Sequence, residues 1–269
     1  MVRLPAVAGR FYPSNPDDLR AAVRQYTTSE TDVAPTRVKA CLVPHAGYMY
    51  SGHVSGAVFA RVALPKRILL LGVRHFPRGE ALATLTSGAW RTPLGEVPVD
   101  EELASALQTE CPSLREDALA HSAEHSLEVQ LPFLQVLRPE FSFVPVALGT
   151  ARFEELAEVG RAIARVLKAT HHEVLLLTTS DLNHYEQDAV TRVKDGKAIE
   201  QLLAVDPRGL YDACSNLEIS MCGLGPATAM LTALRELGGA KAALVRYATS
   251  AEVSGDASAV VGYAGMIFA

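Results

Sequence analysis

Three histidines stand just beyond apolar runs of strand length: His45 after "ACLVP", His75 after "ILLLGVR" and His184 after "VLLLTTSDLN". Asp181 precedes the last of them, while Arg74 and Tyr48 sit beside the other two. Imidazoles hold metal ions and move protons near neutral pH, so histidines from separate strand ends point to one shared metal or acid–base site. One such histidine alone would read as a polar group at the rim of a sheet. Cys222, in "MCGLGPATAMLTALREL", opens a segment whose Ala227, Met230, Leu231, Leu234 and Leu237 recur at helical spacing. A thiol at a helix N-terminus has its thiolate favoured by unpaired N–H groups and the helix dipole, which makes Cys222 a candidate ligand or nucleophile. Gly223 and Gly225 permit close backbone approach at that point.

A further polar group lies in "HSAEHSLEVQLPFLQVL", residues 121 to 137. Read as one helix, this segment is capped by Ser122 and places Leu127, Leu131 and Leu134 toward the core. Glu124 and Glu128 then share a face, and His125 and Glu128 form an i, i+3 dyad that faces the pocket.

The elements that must position these groups follow from periodicity. Apolar runs recur at 38 to 47, 66 to 75, 141 to 149, 172 to 181 and 242 to 250, with a last pair at 258 to 268. Helical spacing fills 52 to 63, 100 to 110, 124 to 137, 152 to 169, 188 to 204 and 223 to 237. That alternation predicts an α/β fold with a mostly parallel sheet, and runs that are apolar without alternation predict helices on both of its faces. The expected architecture is a three-layer sandwich. Residues 81 to 100 alternate and are rich in turn formers, so a hairpin or edge excursion is expected there. Ligands of such sheets bind beyond the carboxyl ends of the strands, where all three histidines fall. Without an internal repeat or a long linker, residues 1 to 269 read as a single domain.

Bulk composition narrows the functional classes. The chain is 49% hydrophobic over 269 residues, enough for a large core, and its net charge of -5 is scattered without a basic block. Nucleic acid and anionic membranes are therefore not expected partners. No apolar stretch approaches the roughly 20 residues that span a bilayer, and the first residues lack a signal-peptide core, so a cytoplasmic location is expected. Cys41, Cys111, Cys214 and Cys222 show no close pairing and read as free thiols.

Taken in order, "AVAGRFYPSNPDDL", "PHAGYMYSG", "LLLGVRH", "EHSLEVQLPFL", "TTSDLNHY" and "CGLGPATAML" resemble the Memo family, including the proteins called AmmeMemoRadiSam system protein B. The resemblance implies the fold of the class III extradiol dioxygenases, with a single metal ion at the strand ends. By motif, its ligands fall on His45, His75 and Cys222, and a further pocket histidine falls on His184 beside Asp181. Many relatives carry a second histidine where this chain has Phe76, and the third ligand is a thiol where the dioxygenases use a carboxylate. Fe(II) and Cu(I) suit such a donor set first, and Zn(II) also fits.

Three functions follow as expectations. The first is a metal-dependent oxidoreductase in which His184, oriented by Asp181, is the acid–base, while Glu124, His125, Glu128, Arg74 and Tyr48 contact a small substrate. The second is an adaptor that holds a metal or a peptide without turnover, as the eukaryotic relatives suggest. The third is a cysteine hydrolase with Cys222 as nucleophile and His184 as base. The family name also implies a pathway shared with AMMECR1-like and radical S-adenosylmethionine proteins, and a homodimer is the base expectation for assembly.

Overall fold

Alternation within the apolar runs sorts the chain into layers. The computed structural model describes residues 1–28 and 34–269. Its strands are β1 (Val2–Arg3), β2 (Ala40–Val43), β3 (Arg67–Val73), β4 (Leu82–Thr84), β5 (Ala89–Thr92), β6 (Gly95–Pro98), β7 (Arg115–Glu116), β8 (Ser142–Leu148), β9 (Val174–Thr179), β10 (His184–Glu186), β11 (Ala242–Thr249) and β12 (Val260–Phe268). The helices are α1 (Pro16–Thr27), α2 (Tyr48–Phe59), α3 (Glu101–Glu110), α4 (Ala118–His121), α5 (Leu131–Leu137), α6 (Phe153–Ala169), α7 (Asp188–Leu203), α8 (Pro207–Asn216), α9 (Leu224–Glu236) and α10 (Ala251–Ser254).

Successive side chains of a strand point to opposite faces, and the two cores follow that rule. Leu42, Leu69, Leu71, Val144, Val146 and Leu176 pack with α3, α6, α8 and α9 on one side. Cys41, Val43, Ile68, Leu70, Phe143, Leu175 and Leu177 pack with α1, α2 and α5 on the other. The result is the expected three-layer α/β sandwich. Burying one such Leu fully contributes roughly 1.5–3 kcal/mol, so strands that serve both cores must be apolar throughout.

Among the described residues the main sheet has nine strands, in the order β10-β12-β2-β9-β3-β8-β4-β7 with β11 on β12. Its centre is parallel, since β2 pairs β9 and β3 pairs both β9 and β8 in that sense. Toward its flanks β12 on β2, β11 on β12 and β4 on β8 are antiparallel, and the edge strand β7 pairs β4 in parallel. The 81 to 100 region supplies β4, which lies between β8 and the short edge strand β7, and a β5–β6 hairpin that joins β1 in a separate three-stranded sheet. Within residues 258 to 268, Val260–Phe268 forms one continuous strand, not two short ones.

Four helices fall outside the segments read as helical: the four-residue α4 and α10, α8, and α1, which is capped by Asn15, whose side chain accepts from Asp17 N and Asp18 N, with Pro16 in its first turn. The 124 to 137 segment departs from expectation. It is a turn, then a 3-10 turn at Glu128–Gln130, and only then α5. Pro132 lies in the first turn of α5, where its missing N–H costs nothing. No helix of the described residues is long and apolar enough to cross a membrane.

Candidate metal centre

Because β2, β9 and β3 are neighbours in that order and run parallel, their carboxyl ends open side by side. His45 leaves β2, Asp181 follows β9 and His75 leaves β3. The His45 N–H donates to Asp181 Oδ1 at 2.8 Å, which ties the first two strand ends together. His45 Nδ1 lies 2.8 Å from Thr179 Oγ1, and its Nε2 lies 3.1 Å from Cys222 Sγ. Cys222 arrives from the start of α9 through an unusually close contact. A Cβ at Gly223 would sit 2.3 Å from Ser180 Cβ, and the Gly223 N–H donates to Ser180 Oγ at 2.9 Å. Only glycine lets the helix start press that tightly on the end of β9.

His75 is held by Glu124. Its backbone N–H donates to Glu124 Oε2 at 2.6 Å and its Nδ1 donates to Glu124 Oε1 at 2.9 Å. Glu124 reaches it because the following residues lie directly on β3, where a Cβ on Gly72 would meet Leu127 and Ser126 at 2.7 Å. Ser126 completes the seam, with its Oγ accepting from Val73 N and donating to Val73 O, both at 3.1 Å. His125 then stacks on His75 with ring centroids 4.5 Å apart and packs against Phe11 at 4.8 Å.

The charges suit metal binding. Burial, with the neighbouring His75 and His184, lowers His45 to about 3, so it is neutral at pH 7. Burial and nearby His45 lower His125 to about 4. Burial opposes ionisation of Glu124, but the hydrogen bond and charge of His75 outweigh it and bring the carboxyl down to about 2. Burial, reinforced by Asp181, pushes the Cys222 thiol up. This corrects the expectation of a helix-stabilised thiolate: desolvation outweighs the dipole, and a cation must displace the proton.

The donor set fits a single ion. Ligand atoms of His45, His75 and Cys222 all lie within 4.8 Å of one another. A tetrahedral ion with donors at about 2.0–2.3 Å needs them roughly 3.3–3.8 Å apart, so the 3.1 Å His45–Cys222 pair opens slightly and His75 adjusts within the 4.8 Å group. With Nδ1 of each histidine engaged, Nε2 is the free lone pair, and a carboxylate behind one ligating ring is the usual way its orientation is set. Three protein donors would leave a fourth position of a tetrahedral ion open.

Other expected residues fall differently. His184 is close, sharing a 4.8 Å group with Asp181 and Cys222, but its Nδ1 donates to Ser220 O at 2.9 Å. Ser220 thus orients it, while Asp181 is occupied with His45. Glu128 is turned away: its carboxylate takes Arg3, Tyr12 Oη at 2.6 Å and the Ala6 and Val7 N–H groups. Tyr48 is buried and donates its hydroxyl to Val129 O at 2.7 Å. Arg74 donates to the carbonyls of Arg78 and Gly79. Ser122 ends α4 and donates to Leu119 O, so it caps no following helix. The absence of a helix before Glu128 accounts for the placement of Glu128 and Ser122, since without one Glu124 and Glu128 share no face. Thr179, Ser220 and Arg3 had no signal in the sequence, being ordinary residues until the folded chain gives them partners. Tyr48→Phe should cost about 1 kcal/mol of stability for one lost hydrogen bond, by urea unfolding, with metal affinity unchanged.

The pattern of the Memo-like proteins matches residues 3–267. A MEMO1 family protein of Methanopyrus kandleri is 40% identical over 280 residues, covering 100% of this chain and 99% of its own. Another, from Methanocaldococcus jannaschii, is 40% identical over 285 residues, covering 99% and 98%. The chain belongs to the Memo family. Among solved structures, an uncharacterized protein of Escherichia coli K12 matches with a TM-score of 0.60, covering 86% of this chain and 100% of its own at 12% identity. That likeness is one of fold. The "PHAG", "GVRH" and "CGLGPA" motifs that carry the Memo resemblance are those whose His45, His75 and Cys222 converge here.

Proposed function

We propose that this Memo protein is a mononuclear metal enzyme. His45, His75 and Cys222 hold one redox-active ion, Fe(II) or Cu(I) ahead of Zn(II), and the open position receives a small substrate. The observation that carries this reading is the approach of His45 Nε2 to Cys222 Sγ at 3.1 Å, with His75 in the same 4.8 Å group. A bound ion of this kind supplies electron transfer and polarises a coordinated substrate. His184 donates from Nδ1 to Ser220 O, so its Nε2 is free to accept a proton. Glu124 keeps the Nδ1 proton of His75 in place, and His125 stacks on the His75 ring and packs in turn against Phe11. The thiol donor softens the site relative to two histidines and a carboxylate, so ring cleavage does not follow from the fold.

A metal-free cysteine nucleophile is less well supported. Burial and Asp181 push the Cys222 thiol up, the reverse of what activates a nucleophile. Peptide capture through Arg74 has less support, because one of its Nη atoms is turned to the Arg78 and Gly79 carbonyls. The test is metal analysis with X-ray absorption on protein purified without oxygen or chelators. About one iron or copper per chain, with one sulfur neighbour near 2.3 Å, is expected for this donor set. Protein that carries no metal and takes none up on titration overturns it.

A further inference from the structure

We infer that Arg3 is a positioning residue for the metal centre, acting from behind through Glu124; the inference rests on the metal reading above. Residues 122 to 127 carry Glu124 and His125 without belonging to any helix or strand, so their placement needs anchors from elsewhere. Arg3 provides them. Its Nε donates to His121 O at 3.0 Å, one Nη donates to Glu124 O at 2.7 Å, and the other pairs with the Glu128 carboxylate. One planar guanidinium therefore grips both ends and the middle of the segment. The same side chain is buried, with its carbon Cζ 4.2 Å from the centre of the Trp90 ring.

The register of β1 on β5 sets this up, because Arg3 is opposite Trp90 in the parallel pair. Glu128 extends the grip by accepting from the Ala6 and Val7 N–H groups and from Tyr12, which fastens the N-terminal loop to the same segment. The N-terminal loop also delivers Phe11 to His125. Arg3 touches no metal ligand. Its influence runs through the Glu124 backbone to the Glu124 carboxylate and so to His75 Nδ1. The fork geometry is essential: an ammonium keeps the charge but cannot direct three donors in one plane.

The test compares Arg3→Lys and Arg3→Met with Arg67→Lys, which disturbs an ion pair to Asp100 on β3 away from the centre. Two quantities are read: Co(II) and Zn(II) affinity by chelator competition, with the Co(II) absorption spectrum, and the His75 Nδ1 proton by NMR of metal-free protein. The loss of an outer partner of a ligating histidine lowers metal affinity about 10- to 100-fold, and Arg3→Lys should approach the lower figure. Its His75 Nδ1 proton should exchange faster and shift, while Arg67→Lys leaves both readouts at wild-type values even if its melting temperature falls. Affinity within about two-fold of wild type and an unmoved His75 proton in Arg3→Lys would overturn the inference. If Arg3→Met does not fold, Arg3→Lys decides. If wild type binds no metal, the metal reading fails, and the proton resonance still decides whether Arg3 positions Glu124 on His75.

Discussion

Metal affinity falls by at least about 100-fold in Cys222→Ala, His45→Ala and His75→Ala. Removing an outer hydrogen-bond partner of a metal ligand already costs 10- to 100-fold, and these substitutions remove the donor itself. A factor of 100 is about 2.7 kcal/mol of binding free energy. The fold should persist in all three. In Cys222→Ala the interactions lost are the 3.2 Å contact from Asp181 N, the 3.1 Å contact to His45 Nε2 and the 3.5 Å contact to Asp181 O. Cys222→Ser should fall between wild type and alanine and should shift preference away from Cu(I), because oxygen is a harder donor than sulfur. Chelator competition and copper or iron titration measure both effects. Equal affinity in wild type and Cys222→Ala would remove the thiol from the centre.

His121 should carry a separable share of the stability that the metal-free protein loses in mild acid, beside the buried His45 and His125. Its side chain is fully buried, and both ring nitrogens lack a partner among the described residues. Burial, with Arg3's charge alongside, lowers it to about 4. The sign follows from linkage: a histidine whose folded value lies below its unfolded value near 6.5 is protonated first in the unfolded chain. Its contribution is present above about pH 6.5 and is lost as pH falls toward about 4. Between pH 7 and pH 5 this one group should cost about 2 kcal/mol. Asp195 acts oppositely. Burial raises it to about 6, so its penalty is relieved over the same interval. The clean measurement is therefore a difference: His121→Leu should lose about 2 kcal/mol less than wild type on going from pH 7 to pH 5. Urea unfolding of metal-free protein gives the answer, and parallel pH dependences would remove His121 from the account.

Much of the centre was legible because strand ends are local features. "ACLVPH", "LLLGVRH" and "LLLTTSD" show where an apolar run stops and a polar group begins, and the two-core sheet follows from runs apolar at every position. The 121 to 137 segment was misread for an equally local reason. Its leucines at 127, 131 and 134 recur at helical spacing, and a buried turn lying on a strand satisfies the same spacing as a helix. Nothing in those residues marks that Gly72 of β3 leaves room for Leu127 to settle there.

By itself, the sequence determined the residue types available for chemistry, the strand ends that present them, the layered α/β class and, through its ordered motifs, the Memo family. The tertiary structure alone decided the strand order, which inserts β9 between β2 and β3 and so brings His45, Asp181 and His75 together. It also decided partners: Glu124 for His75, Ser220 for His184, and Arg3 for Glu128. The physical reason is that periodicity reports which face of an element is buried, whereas hydrogen-bond partners about 120 residues apart are chosen only when the layers close.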